Sequence, residues 1–575
     1  MTKLLKYMKG YGKECILGPL FKLLEATFEL MVPLVVARIV DEGIGGGDSG
    51  YVVRMCLVMI LLGAVGLVCA VTAQYFAAKA AVGFAARLRH SVMAHILRLS
   101  YSQIDTLGTS TMVTRMTSDI NQVQNGVNLT LRLLLRSPFV VFGAMVMAFT
   151  IDTQAALVFA GVIPVLCLVV FGIMLITMPM YRRIQSGLDS VTSATRQNLT
   201  GVRVLRAFRM EARETAEFQD RTEQLTARQL SAGRISALMN PMTFVIVNLA
   251  VILLIRVGAL KVDSGALTQG LVVALYNYMS QILVELIKMA NLIINMTKAA
   301  ACANRIEGIL EIVPDGVSGD ACPDTLAGKV EFENVTARYA GAAAPALEHV
   351  SFTAEPGQTI GIIGGTGSGK TTLVNLIPGF YPAESGRVRI DGVDVQAYDT
   401  VALREKIGIV PQKAVLFHGT IRDNLRWGNA DATDDALWQA LDTAQAREVV
   451  KDKAGELDGE IEQGGANFSG GQRQRLTIAR ALVRKPAILI LDDSASALDY
   501  ATDARLRMAI RGQKNPPTTF IVSQRAASVR YADQIVVLDD GAVAGIGTHD
   551  TLLETCPVYQ EIYYSQFPKE AQENG

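Results

Sequence analysis

The sequence has 575 residues, half of them hydrophobic, with 54 basic and 54 acidic side chains, so its formal net charge is zero. The length suggests several domains, and the balanced charge gives no argument for a polyanionic partner such as nucleic acid. The seven cysteines and five histidines are scattered and no CxxC pair is present, which argues against a zinc-type site.

Six apolar stretches, each about 20 residues long, are predicted to cross the hydrocarbon core of a membrane. They lie at 15–40, 51–78, 133–149, 155–180, 241–260 and 267–296. The connection 41–50 and the turn around Asp152 contain no Lys or Arg, whereas the long connections are rich in Arg. The positive-inside rule therefore predicts that the long connections and both termini are cytoplasmic, as in a multi-pass protein of a bacterial-type inner membrane. Arg256 and Lys261, at the end of the fifth stretch, blur this pattern.

The long connections are helix-prone and predict membrane helices that continue into the cytosol, with tips near 101–118 and 200–214. After Ile312 a Gly-, Pro- and Asp-rich segment predicts a linker over 313–329. From Val330 onward, short β-type runs alternate with helical segments, which is typical of an α/β domain with a largely parallel sheet. The predicted organisation is an all-α membrane domain over 1–312, a linker, and an α/β domain over 330–575.

A phosphate-binding loop is the first motif that carries chemistry. The pattern GxxxxGK[ST] follows the apolar run Ile360–Ile363 and precedes a second apolar segment, which is the strand–loop–helix setting that the motif requires. Backbone N–H groups and a helix N-terminus would hold phosphate oxygens, Lys370 would reach the β- and γ-phosphates, and Thr371 would ligate Mg²⁺. The predicted loop residues are Gly364, Gly365, Thr366, Gly367, Ser368, Gly369, Lys370, Thr371 and Thr372.

Two further stretches support a nucleotide site. Asp492 closes the apolar run Ile488–Leu491, where a carboxylate would hold Mg²⁺ through water. The stretch "NFSGGQRQR" places Ser469, Gly470, Gly471 and Gln472 at the start of a second helix, which gives another anion-binding N-terminus. Two phosphate-gripping elements in one domain predict that two such domains meet head to tail, each covering the other's nucleotide.

With these motifs the chain resembles an ATP-binding cassette (ABC) half-transporter of the exporter type over essentially its whole length. The resemblance implies that Tyr339 stacks on adenine, that Gln412 contacts Mg²⁺ and the coupling interface, and that Asp499 lies in the D-loop. It implies that Ser469–Gln472 form the signature that acts on ATP bound to a partner chain. The tips near 101–118 and 200–214 match the coupling helices of the family.

Two positions depart from the family pattern. Asp493 stands where a glutamate normally orients or deprotonates the attacking water, and Gln524 stands where the family has a switch histidine. Asp is one methylene shorter than Glu, and Gln carries neither the proton nor the charge of imidazole. With Lys370, Thr371 and Asp492 retained, the resemblance implies the degenerate, slowly hydrolysing site of a heterodimeric exporter. A homodimer with two slow sites remains an alternative.

Three carboxylates fall within the predicted membrane helices. Glu25 and Glu29 are four residues apart and share a helix face, and Glu285 has Lys288 three residues further on. Charges inside a membrane are costly and default to functional candidates, so these carboxylates could line a cavity for cationic or amphipathic substrates. The alternative is that these carboxylates pair between helices or lie near a cytosolic helix end, since the helices are predicted to extend beyond the bilayer.

The predicted function is ATP-driven export of small amphipathic or hydrophobic substrates by two half-transporters in a lipid bilayer. A lipid flippase or an importer built on the same fold is an alternative, and a nucleotide-gated channel is a third. The membrane helices exclude a nucleic-acid-handling ATPase of this family. Cargo is not readable from the sequence, because the fold does not fix the details of a cavity.

Overall fold

The computed structural model describes residues 2–314, 319–494 and 496–567 and divides the chain into two compact units. The first comprises the residues up to Leu97 together with Ser110–Ile312, and the second comprises Arg98–Thr109 and the chain from Val313 onward. Part of the predicted linker (315–318) and the end of the predicted α/β domain (568–575) lie outside the described residues.

The first unit is helical throughout its described residues. A 3₁₀ turn (Thr2–Met8) precedes the first helix, and π-helical turns follow at Ile39–Ile44 and Arg115–Asp119. The helices before the first strand are α1 (Gly12–Arg38), α2 (Ser49–Ile96), α3 (Tyr101–Leu107), α4 (Thr109–Thr114), α5 (Ile120–Leu133), α6 (Arg136–Ile151), α7 (Thr153–Thr200), α8 (Val202–Ala207), α9 (Glu211–Ala237), α10 (Met239–Asp263) and α11 (Gln269–Leu310).

Five helical segments of the described chain are long and apolar enough to cross a membrane. They are Ser49–Ile96, Thr109–Ile151, Thr153–Thr200, Glu211–Asp263 and Gln269–Leu310. The predicted first span forms helix α1, but it is not one of the five, and it carries charged side chains at Lys22, Glu25 and Glu29. The count of six spans therefore stays a prediction.

Small residues and helix caps explain how these helices pack. Helices α1 and α2 approach closely where Gly18 of α1 faces Ala73 and Ala77 of α2, which are fully buried small residues. Asp48 and Asp152 cap the N-termini of α2 and α7, each accepting a hydrogen bond from a backbone N–H of the first turn. The two connections that contain no Lys or Arg, 41–50 and the turn at Asp152, thus each contain the N-cap of the helix that follows.

The second unit is built on three sheets. A six-stranded sheet has the order β12-β11-β3-β10-β9-β6 and is parallel except for the β11–β12 pair; a four-stranded antiparallel sheet has the order β2-β1-β4-β5, and β7 pairs with β8. The strands are β1 (Val330–Ala337), β2 (Leu347–Ala354), β3 (Thr359–Gly364), β4 (Ser385–Ile390), β5 (Val393–Asp394), β6 (Ile407–Val410), β7 (Gly419–Thr420), β8 (Glu460–Ile461), β9 (Ile488–Asp492), β10 (Thr518–Val522), β11 (Gln534–Asp539) and β12 (Ala542–Gly547).

The helices of the second unit cover this framework. They are α12 (Lys370–Leu376), α13 (Thr400–Glu405), α14 (Ile421–Arg426), α15 (Asp434–Thr443), α16 (Arg447–Lys451), α17 (Gly470–Val483), α18 (Tyr500–Arg511), α19 (Ala526–Val529), α20 (His549–Thr555) and α21 (Pro557–Gln566). The central strands β9 and β10 are buried at every position, as expected for parallel strands covered on both faces. The carboxyl ends of β3, β9 and β10 meet at one edge, where open α/β sheets bind ligands.

Helix α3, at the first predicted coupling tip, belongs to the second unit. The ring of Tyr101 stacks on Phe380 with centroids 4.2 Å apart, and the hydroxyl of Tyr381 donates to Asp105 at 2.7 Å. A capping box between Ser100 and Gln103 starts the helix. The second predicted tip contains α8, in the first unit, where Phe208 is 74% exposed. The coupling role of both tips stays a prediction.

Candidate nucleotide-binding site

The phosphate loop leaves the end of β3 and turns through two glycines with left-handed backbone. Gly367 has φ 87° and Gly369 has φ 91°, a conformation that disfavours side chains. A Cβ at Gly369 would also lie 2.6 Å from the carbonyl oxygen of Ala346. The loop residues Gly364–Gly369 thus form a tight turn that leads directly into α12, whose first residue is Lys370.

Lys370 is folded back onto its own loop. Its ammonium donates to the carbonyl oxygens of Gly364 at 3.0 Å and Gly365 at 2.5 Å, and the residue is only 9% exposed. Burial lowers the pKa of this ammonium below its ordinary value, while the nearby carboxylates of Asp493 and Asp492 oppose that shift. Because the ammonium is already desolvated, it could exchange these carbonyl oxygens for phosphate oxygens without a further cost of removing water.

Thr371 and Asp492 meet at the adjacent strand end. The Thr371 hydroxyl lies 3.1 Å from both carboxylate oxygens of Asp492, which is 6% exposed. Burial raises the pKa of Asp492, and the Asp493 carboxylate raises it further, against the hydrogen bond from Thr371. A hydroxyl facing a desolvated carboxylate is an oxygen-only donor pair that fits Mg²⁺, which keeps its waters and the phosphate oxygens as its remaining ligands. When bound, the ion would neutralise phosphate charge.

The two departures from the family pattern lie beside this pair. Asp493 has a left-handed φ of 47°, its N–H donates to Val522, and its carboxylate lies 3.3 Å from the side-chain nitrogen of Gln412. Gln524 is exposed, and its backbone carbonyl accepts a hydrogen bond from Gln566. Both residues line the same cavity as Lys370 and Thr371, and Asp493 has a shorter reach than Glu while Gln524 lacks the charge of a protonated His.

A cavity of about 350 Å³ is lined by most of the predicted nucleotide-binding residues. Tyr339 stands on its rim, 37% exposed, with its hydroxyl 2.9 Å from Thr372 and its ring edge-on to Tyr381. The predicted residues that line the cavity are Tyr339, Thr366, Gly367, Gly369, Lys370, Thr371, Thr372, Gln412, Asp492, Asp493 and Gln524. Sequence reasoning missed Ala346, Val522 and Ser523, which also line it and which carry no motif of their own.

The signature residues do not line this cavity. Ser469 caps α17 through a capping box: its hydroxyl accepts from the N–H of Gln472 at 3.3 Å, and the side chain of Gln472 accepts from the N–H of Ser469 at 2.9 Å. Ser469 and Gly470 are exposed, and a Cβ at Gly471 would lie 2.9 Å from the carbonyl oxygen of Ala497. The predicted signature is thus a preformed, exposed helix start that does not line the cavity of its own chain.

Asp499 also lies apart from the cavity and caps α18, accepting from the N–H and the hydroxyl of Thr502 at 2.8 and 2.9 Å. Sequence reasoning missed Arg525, which follows Gln524. Its guanidinium donates to the carbonyl of Ser496 at 3.0 Å and lies 5.7 Å from the ring centroid of Tyr500. Arg525 thus joins the Gln524 loop to the D-loop, a contact between residues 29 apart that spacing alone does not reveal.

The three membrane-domain carboxylates are all paired with cations. Glu25 pairs with Lys22 at 2.5 Å. Glu285 pairs with Lys288 at 2.9 Å, as the spacing of these two residues suggested. Arg136, which sequence reasoning missed, bridges Glu285 at 2.5 Å and Glu29 at 2.6 Å. This is the interhelical pairing that stood as the alternative to a substrate cavity, and the substrate role of these residues stays a prediction.

Comparison with known proteins agrees with this geometry. Residues 15–286 match the family model described as "ABC transporter transmembrane region", and residues 347–496 match the model described as "ABC transporter". The chain belongs to the ABC transporter family. It is an exporter-type half-transporter, with a helical membrane domain followed by an α/β ATP-hydrolysing domain in one polypeptide.

Relatives cover the chain from end to end. An uncharacterized ABC transporter ATP-binding protein of Mycobacterium tuberculosis is 37% identical over 98% of both chains, and YfiB of Bacillus subtilis, described in the same words, is 36% identical over the whole of both. An ATP-dependent lipid A-core flippase of Chromohalobacter salexigens is 29% identical over 98% of this chain and 97% of its own.

Proposed function

We propose that this chain is one subunit of a heterodimeric exporter whose own ATP site binds nucleotide tightly and hydrolyses it slowly. The observation that carries the proposal is the single cavity in which Lys370, Thr371 and Asp492 stand beside Asp493 and Gln524. The groups that hold phosphate and Mg²⁺ are present, whereas the two groups that would activate water are shortened or uncharged. Binding without rapid turnover is the behaviour that this combination favours.

The exposed signature supports a partner. Ser469, Gly470, Gly471 and Gln472 form a helix start outside the cavity of their own chain, so in the proposed dimer they close the partner's nucleotide. Gly471 lies close to Ala497 and Leu498, which directly precede Asp499, so Asp499 would belong to the same surface. Gln412, adjacent to Asp493, would then sense Mg²⁺ and phosphate and pass the change to the coupling helices.

The proposed substrates are small amphipathic or hydrophobic molecules, moved out of the cell by a membrane domain whose termini and nucleotide-binding domain are cytoplasmic. The Arg-rich long connections support that orientation. A lipid flippase is a second candidate, favoured by the relatives of that name that align with 98% of this chain. A homodimer of this chain is the alternative to the heterodimer.

The ATPase rate of the purified chain tests the heterodimer. We expect the chain alone to hydrolyse ATP slowly. We expect addition of a companion half-transporter whose own site carries the catalytic Glu and His to raise the rate at least tenfold, because the signature then completes a site with intact catalytic groups. Steady-state ATPase in lipid nanodiscs measures this. Robust hydrolysis by the chain alone would contradict the proposal and favour a homodimer.

The adenine contact is tested at Tyr339. We expect Tyr339→Ala to weaken ATP binding to the isolated chain by about tenfold, because stacking of a base on an aromatic ring contributes roughly 1–3 kcal/mol. Tyr339→Phe is the matched control, since it keeps the ring and removes only the hydroxyl that faces Thr372. Equal losses in both variants would assign the effect to that hydroxyl and contradict stacking.

A further inference from the structure

The helix α21 reaches the loop that carries Gln524. The last residue of this helix is Gln566, and its side-chain amide makes two hydrogen bonds with that loop. Its Nε2 donates to the backbone carbonyl of Gln524 at 2.8 Å, and its Oε1 accepts from the backbone N–H of Ala526 at 2.9 Å. A carboxamide carries both donors and an acceptor, so one side chain binds the peptide groups on both sides of Arg525. We call this pair of hydrogen bonds the Gln566 clamp.

The clamp binds backbone groups at a point where two regular elements end. Strand β10 ends at Val522, and the short helix α19 begins at Ala526. The first N–H groups of a helix have no intrahelical partner, and an N-cap side chain with an oxygen usually accepts from one of them. Here the N-cap is Arg525, whose side chain has no acceptor and makes no capping hydrogen bond. Gln566 supplies an acceptor to this helix start from 40 residues further along the chain.

Helix α21 is fixed to the core of the second unit. Tyr559 and Tyr563 are 0% and 1% exposed, and they belong to the same buried cluster as Ala526. The hydroxyl of Tyr559 lies 2.8 Å from Nδ1 of His549 on the preceding helix. Gln566 follows Tyr563 by three residues, so it lies on nearly the same face of the helix as these anchors. The amide therefore approaches the loop from a helix whose position is set by core packing.

The clamp lies behind the wall of the nucleotide cavity. Ser523 and Gln524 line that cavity, and Gln566 does not. The N–H of Ser523 donates to the carbonyl of Ile362 at 3.1 Å, and the N–H of Arg525 donates to the hydroxyl of Ser523 at 3.0 Å. Gln524 itself is exposed, so the direction of its side chain depends chiefly on the backbone that carries it. Gln566 holds that backbone from the side opposite to the nucleotide.

We propose that Gln566 is a positioning residue for ATP hydrolysis at this chain's own site, because its clamp directs the side chain of Gln524 at the γ-phosphate. The inference rests on the proposed function, in which this cavity holds ATP. In hydrolysis a water oxygen bonds to the γ-phosphorus, the β–γ bridge breaks, and ADP, phosphate and a proton are released. Gln566 touches none of these atoms and acts through Gln524. Without the clamp the reaction slows, while Lys370 and Thr371 still bind ATP.

Hydrogen exchange in the full chain tests the clamp itself. Gln566→Leu removes both hydrogen bonds and keeps a side chain of similar size. We expect the backbone amides of residues 523–527 to exchange about tenfold faster in this variant, because the N–H of Ala526 loses its acceptor. Gln560→Leu is the matched control, since Gln560 also lies on α21 and donates to a backbone carbonyl, that of Leu553 at 2.6 Å. We expect this control to leave the exchange of 523–527 unchanged.

Single-turnover hydrolysis tests the role of the clamp, in the dimer that this chain forms and with the partner's own site disabled. We expect Gln566→Leu to lower the rate about tenfold and to keep the Kd for ATP within about twofold, because misplacement of a group near the reacting atoms costs rate. In a Gln524→Ala chain we expect Gln566→Leu to have no further effect, since the two residues act as one unit. Gln560→Leu should hydrolyse at the wild-type rate.

Each measurement has an outcome that would overturn the proposal. Unchanged exchange in Gln566→Leu would remove the clamp. An unchanged rate beside faster exchange would remove the positioning role, as would an ATP affinity that falls as much as the rate. A full additional loss in the Gln524→Ala chain would show that Gln566 does not act through Gln524.

A second variant covers the case in which Gln566→Leu does not fold. Gln566→Glu keeps the acceptor for the N–H of Ala526 and loses the donor to Gln524, and the same two measurements apply to it with the same expected directions. The exchange experiment needs no ATP, and the rates are compared between variants at one site, whether that site is slow or fast. Failure of the clamp is therefore distinguishable from failure of the proposed degenerate site.

Discussion

Lys370→Ala is expected to reduce the affinity of this chain for ATP by about a hundredfold or more. Among the described residues that line the cavity, Lys370 is the one cation, and Asp492 and Asp493 are the two anions. Without it, the phosphates would meet two carboxylates and lose two charge-assisted hydrogen bonds, each of about 1.5–3 kcal/mol. The effect is on binding and does not depend on which subunit hydrolyses.

Thermal unfolding with and without ATP measures this loss. A ligand at a hundred times its Kd stabilises the folded state by about 2.7 kcal/mol, so the wild-type chain should show a clear rise in Tm, and the variant should show none. Lys413→Ala is the matched control, because Lys413 is exposed and follows Gln412 without lining the cavity. An ATP-induced rise in Tm that survives in Lys370→Ala would show that the nucleotide binds elsewhere.

The double variant Asp493→Glu, Gln524→His is expected to raise hydrolysis at this chain's own site by about a hundredfold. Glu extends the carboxylate by one methylene, roughly 1.5 Å, and misplacement of about 1 Å costs about a hundredfold in rate. His restores a side chain that can carry a proton and a charge beside the γ-phosphate. Both positions line the same cavity, so the two changes act on one reaction.

Single-turnover hydrolysis in the assembled transporter checks this, with the partner's own site disabled so that only this site is observed. Asp493→Asn, Gln524→His is the matched control, since it restores the histidine but supplies no carboxylate, and it should remain slow. An unchanged rate in the Glu–His variant would show that these two substitutions do not limit turnover and would remove the main support for a degenerate site.

The nucleotide site could be predicted from the sequence because its chemistry is local. The phosphate loop is contiguous, and the capping box of Ser469 and Gln472 is fixed by a spacing of three residues. The apolar run that ends at Asp492 and the apolar run that precedes the phosphate loop are both recognisable as strands. Because parallel strands have their carboxyl ends at the same edge of a sheet, these two ends are expected to lie close together. These local features are enough to predict which residues line the cavity, and no contact between distant parts of the chain has to be known.

The membrane domain could be predicted only as a set of helices. Arg136 lies 107 and 149 residues from its two partners, and within its apolar stretch nothing distinguishes it from a basic residue at a membrane boundary. The residues Arg98–Thr109 belong to the second unit, within which Tyr101 stacks on Phe380, and this long-range contact is not evident from the sequence. Pairing between distant elements depends on tertiary packing, which hydropathy does not encode.

The capping box of the predicted signature limits the conformational entropy that this loop can lose when two subunits meet. Since Ser469 and Gln472 already fix each other's backbone groups, this loop has little freedom left to lose when it meets a triphosphate. The hydroxyl of Ser469 accepts within its own chain and keeps its proton for donation outward. In the proposed dimer, closing therefore costs this loop little conformational entropy.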